Sequence, residues 1–184
     1  LMKWIKTYSS IMIFWMRKIH GIDLEIRGRE NMPKGACIIA SKHQSWGDGF
    51  QAYSKVDKLS FVTGDHLENF PLVGKVLNRL GAIVIDTCGG GERKATSLIE
   101  GMQRAKGDGR RILIYPEGAL CPVDFHFRYK PGIWHMQKAM EVPVIPVATS
   151  LGVFWKQSEM HKTPGRAVLE FLPPIAPGMA KADF

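Results

Sequence analysis

From Gly21 onward, short apolar runs rich in β-branched residues alternate with longer stretches of helical spacing. Few folds other than an α/β domain accommodate that alternation. Strands are expected over 23–28, 36–41, 59–63, 82–86, 111–115, 144–149 and 167–171, most of them bounded by Gly, Pro or Asp. Helices are expected over 46–55, 72–80, 93–105 and 132–140, lengths that suit crossovers on a sheet face. The predicted architecture is an α/β single domain whose central, mostly mixed sheet has about seven strands flanked by helices. A length of 184 residues fits one domain with a substantial core, and no repeat or linker divides it. Hydrophobic residues at 45% and charged residues at 23% exclude a disordered or fibrous chain.

Ahead of this domain, residues 1–18 carry Lys3, Lys6, Arg17 and Lys18 with no acid, beside large apolar side chains such as Trp4, Phe14 and Trp15. Only ten uncharged residues separate Lys6 from Arg17, against the roughly 20 needed to span a bilayer. The segment therefore reads as an amphipathic helix, lying in a membrane interface or packed on the domain. The chain divides on this reading into a membrane-associating amphipathic helix, 1–20, and the α/β domain, 21–184. The first residue is Leu1, so a longer native chain is expected.

Twenty-five basic residues against seventeen acidic ones leave a charge of +8, which favours anionic partners. Nucleic acid is disfavoured, because no zinc finger and no interleaved aromatic-basic strand motif is visible. Cys37, Cys88 and Cys121 are widely spaced and odd in number, which excludes a disulfide framework. The histidines are scattered without a ligand spacing, so no metal is expected. Gly89-Gly90-Gly91 lacks the spacing of a phosphate loop.

The most informative segment is Ser41-Lys42-His43-Gln44-Ser45-Trp46-Gly47-Asp48. It follows a buried-looking strand, and strand ends in α/β sheets are where ligands bind. On one continuous helix a five-residue spacing would put His43 and Asp48 about 140° apart, so contact requires His43 to sit in the preceding turn. Ser45 followed by Asp48 is a capping-box pattern, which by itself accounts for the acid. Chemically, a neutral histidine oriented by a carboxylate is the base-and-orienter half of a hydrolase triad, with a substrate hydroxyl in place of the serine.

Residues 41–48 resemble the first motif of the glycerolipid acyltransferase family, of the lysophosphatidic acid acyltransferase type. Phe70-Pro71-Leu72-Val73-Gly74 with Gly81-Ala82-Ile83-Val84-Ile85-Asp86 resembles the second, Tyr115-Pro116-Glu117-Gly118 the third and Val142-Pro143-Val144-Ile145-Pro146-Val147 the fourth. The resemblance implies a glycerol-3-phosphate acyltransferase-like fold, catalysis by His43 and Asp48, and acceptor binding at Glu117 and Gly118, with the fourth segment near the acyl donor. Two family arginines are missing, since Ile85-Asp86-Thr87 closes the second motif and Ala119-Leu120 follows the third. Arg93, Arg128 and Lys130 are the replacement cations expected, the last two beside Pro131-Gly132 at a helix start. With Ser45, they complete the expected substrate-binding set.

The function implied is transfer of an acyl group from acyl-CoA or acyl carrier protein to the hydroxyl of a lysophospholipid, first of all 1-acyl-glycerol-3-phosphate. A lyso-ornithine lipid or lysophosphatidylcholine acceptor, or a non-catalytic lipid-binding domain of the same fold, is the alternative. No resident cofactor is expected. The expected place is the cytoplasmic face of the inner or plasma membrane.

Overall fold

The computed structural model describes residues 2–65, 73–85, 90–157 and 159–184, and of residues 73 and 90–95 the backbone only. Its strands are β1 (Ile22–Arg27), β2 (Cys37–Ser41), β3 (Leu59–Gly64), β4 (Ile83–Ile85), β5 (Arg111–Ile114), β6 (Val144–Thr149) and β7 (Gly165–Phe171). Its helices are α1 (Met2–His20), α2 (Asp48–Lys55), α3 (Val73–Leu80), α4 (Gly90–Gly107), α5 (Gly132–Met140) and α6 (Leu151–Phe154).

All seven strands join one sheet in the order β1-β7-β6-β2-β5-β3-β4. Strands β6 and β7 run antiparallel, and the other neighbours run parallel. The mixed seven-stranded sheet expected from the sequence is the sheet that forms. Strand β2 lies at its centre, with Ile39 opposite Leu113 of β5 and Ile145 of β6.

Both faces of that centre are covered, which is why β2 reads as an unbroken apolar run. Cys37 and Ile39 point to one face and pack with Ala52 and Tyr53 of α2 and with Val56 just after it. Ile38 points to the other and packs with Met102 of α4 and Met136 and Met140 of α5. Because β2 and β5 are parallel neighbours, their carboxyl ends fall at one edge of the sheet. The segments that begin at Lys42 and at Tyr115 are thereby brought together.

Helix α1 is packed on the domain along one side and exposed along the other. One side packs on α2, through an ion pair of Lys6 with Asp57 and an edge-on contact of Tyr8 with Phe50. The other leaves Trp4 77%, Phe14 51% and Ile19 68% exposed. Among the described residues no helix is long and apolar enough to cross a membrane.

The element boundaries differ from expectation at three places that bear on the site. Helix α2 starts at Asp48 and not at Trp46, because Ser45 closes a turn first: its Oγ accepts the Gly47 N–H at 3.1 Å. Helix α4 begins at Gly90 and takes in part of the glycine triplet. Helix α6, four residues long, was not expected. It fits against the catalytic turn, where a Cβ on Gly47 would lie 2.7 Å from Leu151 Cδ2.

Candidate active site

His43 sits two residues beyond β2, in the turn that leads into α2. Its Nδ1 lies 3.1 Å from Oδ2 of Asp48. The same oxygen accepts the backbone N–H groups of Gln44 and Ser45, each at 2.8 Å. Asp48 is 2% exposed and His43 23%, so the carboxylate orients the imidazole from inside while the ring's far side meets solvent. An oxygen that takes two amide donors is an acceptor towards the ring as well. In the neutral ring the proton therefore sits on Nδ1, and the lone pair is on Nε2. The N-cap of α2 is Gly47 and not Ser45, but Asp48 does reach back to Ser45 N–H and holds His43 with the same atom.

The segment after β5 fixes the rest of the turn. Tyr115 stacks on the His43 ring, with centroids 3.9 Å apart and planes at 14°. Burial pushes the Tyr115 phenol well up, and the Asp48 carboxylate adds to the effect, so the ring is neutral beside the imidazole. Cys121 N–H donates to His43 O at 2.7 Å. Glu117 Oε2 accepts His43 N–H at 3.1 Å. Both backbone polar groups of His43 are thus held by residues 117 and 121.

Glu117 was expected to contact the acceptor, and the structure places it otherwise. Its side chain is fully buried, with Lys42 Nζ 3.3 Å from Oε1. That contact is close enough for an ion pair but makes no aligned hydrogen bond, and Oε1 has none. Ser45 is likewise buried and spends its hydroxyl on Gly47, facing the turn and not the crevice. Gly118 adopts φ +72, and a Cβ there would lie 2.2 Å from Lys130 Nζ. Of the three replacement cations expected, Lys130 thus lies beside Gly118. Arg128 is exposed nearby in the same loop. The Arg93 side chain lies outside the described residues, as do Phe70, Pro71, Leu72, Asp86 and Thr87.

Beside Lys42, an apolar groove of about 270 Å3 runs between β2, β6 and α5, lined by Ala40, Pro116, Ile133, Pro146 and Ile175 among others. The fourth motif, carried on β6, thus borders the groove. Sequence reasoning missed Lys42, although it adjoins His43, and also missed the rings of Phe125, Phe127 and Tyr129 that alternate with His126, Arg128 and Lys130. This aromatic-basic alternation forms a loop and not a strand. Among the described residues no three His, Cys, Asp or Glu side chains gather as a metal site.

Residues 23–150 match the family model described as Acyltransferase. The chain belongs to the acyltransferase family. It is 31% identical over 166 residues to the 1-acyl-sn-glycerol-3-phosphate acyltransferase of Pseudomonas aeruginosa, covering 88% of this chain and 62% of that protein. It is 26% identical over 138 residues to the enzyme of the same name from Saccharomyces cerevisiae, covering 73% of this chain and 45% of the other. The chain thus spans less than two thirds of the length of either relative. Its fold matches the crystal structure of the lysophosphatidic acid acyltransferase PlsC from Thermotoga maritima, with a TM-score of 0.77 and 22% identity over 99% of this chain and 72% of that one.

Proposed function

We propose that the chain transfers a fatty acyl group from acyl-CoA or acyl carrier protein to the free hydroxyl of a lysophospholipid, first of all 1-acyl-glycerol-3-phosphate, to give phosphatidate. The observation that carries this reading is the His43–Asp48 pair at 3.1 Å with Nε2 turned outward. The names of the two relatives supply the substrate class.

In the reaction, Nε2 of His43 takes the proton of the acceptor hydroxyl as its oxygen attacks the thioester carbonyl. Asp48 stabilises the imidazolium that forms. Collapse of the tetrahedral intermediate forms the ester C–O bond and breaks the C–S bond, and the imidazolium returns its proton to the leaving sulfur. No acyl-enzyme is needed. Among the 45–47 amides, those of Ser45 and Gly47 are taken, which leaves the Trp46 N–H to meet the oxyanion. A preorganised donor of this kind is worth roughly 3 kcal/mol in other acyl transfers.

Lys130, lying over Gly118, supplies a positive charge for the acceptor's phosphate in place of the missing arginines. The groove beside Lys42 has the chemistry of a fatty acyl site. The bilayer is the expected location of both lipid substrate and enzyme, through the exposed face of α1. Ala119 and Leu120 in place of the family's threonine and arginine favour a second reading, in which the acceptor is a different lysolipid such as lyso-ornithine lipid or lysophosphatidylcholine.

His43→Ala is expected to lower turnover by about 10⁴-fold without changing the circular dichroism spectrum. A folded variant that keeps wild-type turnover sinks the base assignment. Supplying acyl-CoA with lysophosphatidic acid, lysophosphatidylcholine or lyso-ornithine lipid, and analysing the products, decides between the two acceptor readings.

A further inference from the structure

The loop 122–130 leaves the catalytic turn and comes back to it. Its entrance is fastened where Cys121 N–H donates to His43 O at 2.7 Å, and its exit where Lys130 N–H donates to Pro116 O at 2.9 Å. Between those points Phe125, Phe127 and Tyr129 are 60%, 42% and 57% exposed. They alternate with His126, Arg128 and Lys130, and Asp124 is the loop's one acid. Single apolar residues on a surface are ordinary, but three aromatic rings on one short basic loop form a patch that marks an interaction surface.

Neighbouring contacts show which way the loop faces. At its root, Val123 Cγ2 would lie 3.0 Å from a Cβ on Gly152 of α6. Directly after α6, Trp155 lies 3.1 Å from a Cβ on Gly47 and tilts against His20 at the end of α1, with ring centroids 6.4 Å apart. The loop, the catalytic turn and the carboxyl end of α1 therefore share one rim. On that rim Ile19 and Trp46 are 68% and 63% exposed.

We propose that loop 122–130 is an interfacial anchor, which places Phe125 and Phe127 among the headgroups of an anionic phospholipid bilayer and so holds the His43 crevice against the membrane. Two features select a bilayer as the occupant. Rings flanked by cations suit the headgroup layer, where the ring is partly buried and the cation meets lipid phosphate. Arg128 and Lys130 outnumber Asp124, and α1 adds Lys18 near the same rim, while Arg17 there is paired with Asp23 at 3.3 Å. An acidic protein would match the cations but would leave the rings unburied unless it brought an apolar patch too. The anchor rests on the lysolipid acyltransferase reading only for its purpose, since that reading supplies an acceptor that resides in a bilayer.

Vesicle flotation of the whole chain tests the anchor without any turnover. On phosphatidylcholine vesicles containing phosphatidylglycerol, Phe125→Ser/Phe127→Ser is expected to raise the apparent Kd by about tenfold or more. Arg128→Gln is expected to weaken binding to those vesicles and not to vesicles of phosphatidylcholine alone. Phe127→Trp keeps the ring. Its added emission, read as the difference from wild type, is expected to be quenched by lipids brominated along the acyl chain.

A folded serine variant that floats like wild type overturns the anchor, as does unquenched emission from Phe127→Trp. So does a serine variant that loses binding to acyl carrier protein and keeps binding to vesicles. In turnover, the serine variant should match wild type on a water-soluble short-chain lysolipid and fall behind on a bilayer-borne one. If even the wild type transfers no acyl group, the catalytic reading fails while flotation still decides the anchor.

Discussion

The Glu117 carboxylate has no exposed surface; one oxygen holds His43 N–H at 3.1 Å and the other lies 3.3 Å from Lys42 Nζ. Removing it would leave a buried amide unpaired in the turn that carries the base, and a small shift of a base costs rate more than binding. Glu117→Ala is therefore expected to lower kcat by about 100-fold and to leave the acceptor KM within about threefold. Glu117→Gln keeps an acceptor for His43 N–H and should retain much more of kcat. Steady-state kinetics on both variants decide, and a raised KM with an intact kcat would return Glu117 to the acceptor site. Asp48→Asn belongs to the same scale: the amide loses the charge that stabilises the imidazolium, and kcat should drop by about 10³-fold or more. His43 and Asp48 were legible as a pair because they sit within eight contiguous residues. The contact of Glu117 with His43 was not, because it joins residues 74 apart and exists only through the pairing of β2 with β5.

At the scale of elements, the end of β1 shows how closely backbone approach limits substitution. Gly28 closes β1 with φ +67, and a Cβ there would lie 1.9 Å from the carbonyl oxygen of Phe171 at the end of β7. The obstacle is backbone in a paired strand, so no side-chain rotation relieves it. Gly28→Ala should cost more than the 1–3 kcal/mol or so of an ordinary strained residue, read as a lower urea midpoint with unchanged slope. Turnover per folded molecule should stay the same, since the β1 edge is remote from β2 in the sheet order. The seven strands were legible from apolar runs and their punctuation, most clearly in β2, β5 and β6. Their order was not, because a one-dimensional pattern does not say that β5 returns beside β2 or that β7 alone opposes its neighbour β6. Helix α6 escaped notice for a simpler reason: four residues are too few to show a helical period.

Across the whole molecule, burying both faces of the sheet traps several weak acids in their neutral form. Burial pushes the Cys37 thiol up to about 11, and a nearby Arg111 offsets only part of that. Burial also pushes the phenols of Tyr53 and Tyr115 well above the ordinary tyrosine range. Each group has a higher pKa folded than unfolded, so its contribution to stability is fully present below the unfolded value and is lost as pH rises through the folded one. The unfolded chain begins to release the Cys37 proton near the ordinary thiol value of 9.0, and the tyrosine protons follow from 10.0, while the fold still keeps them. Fewer protons bound in the unfolded state means that unfolding grows easier with pH, by about 1.4 kcal/mol per pH unit for each group so divided. Urea midpoints should therefore fall steadily above pH 9, and Cys37→Ala, whatever it costs at neutral pH, should make that fall shallower between pH 9 and about 11. An unchanged slope in Cys37→Ala would mean that the thiol ionises as freely in the fold as out of it, and that solvent reaches the centre of the sheet beneath the catalytic turn.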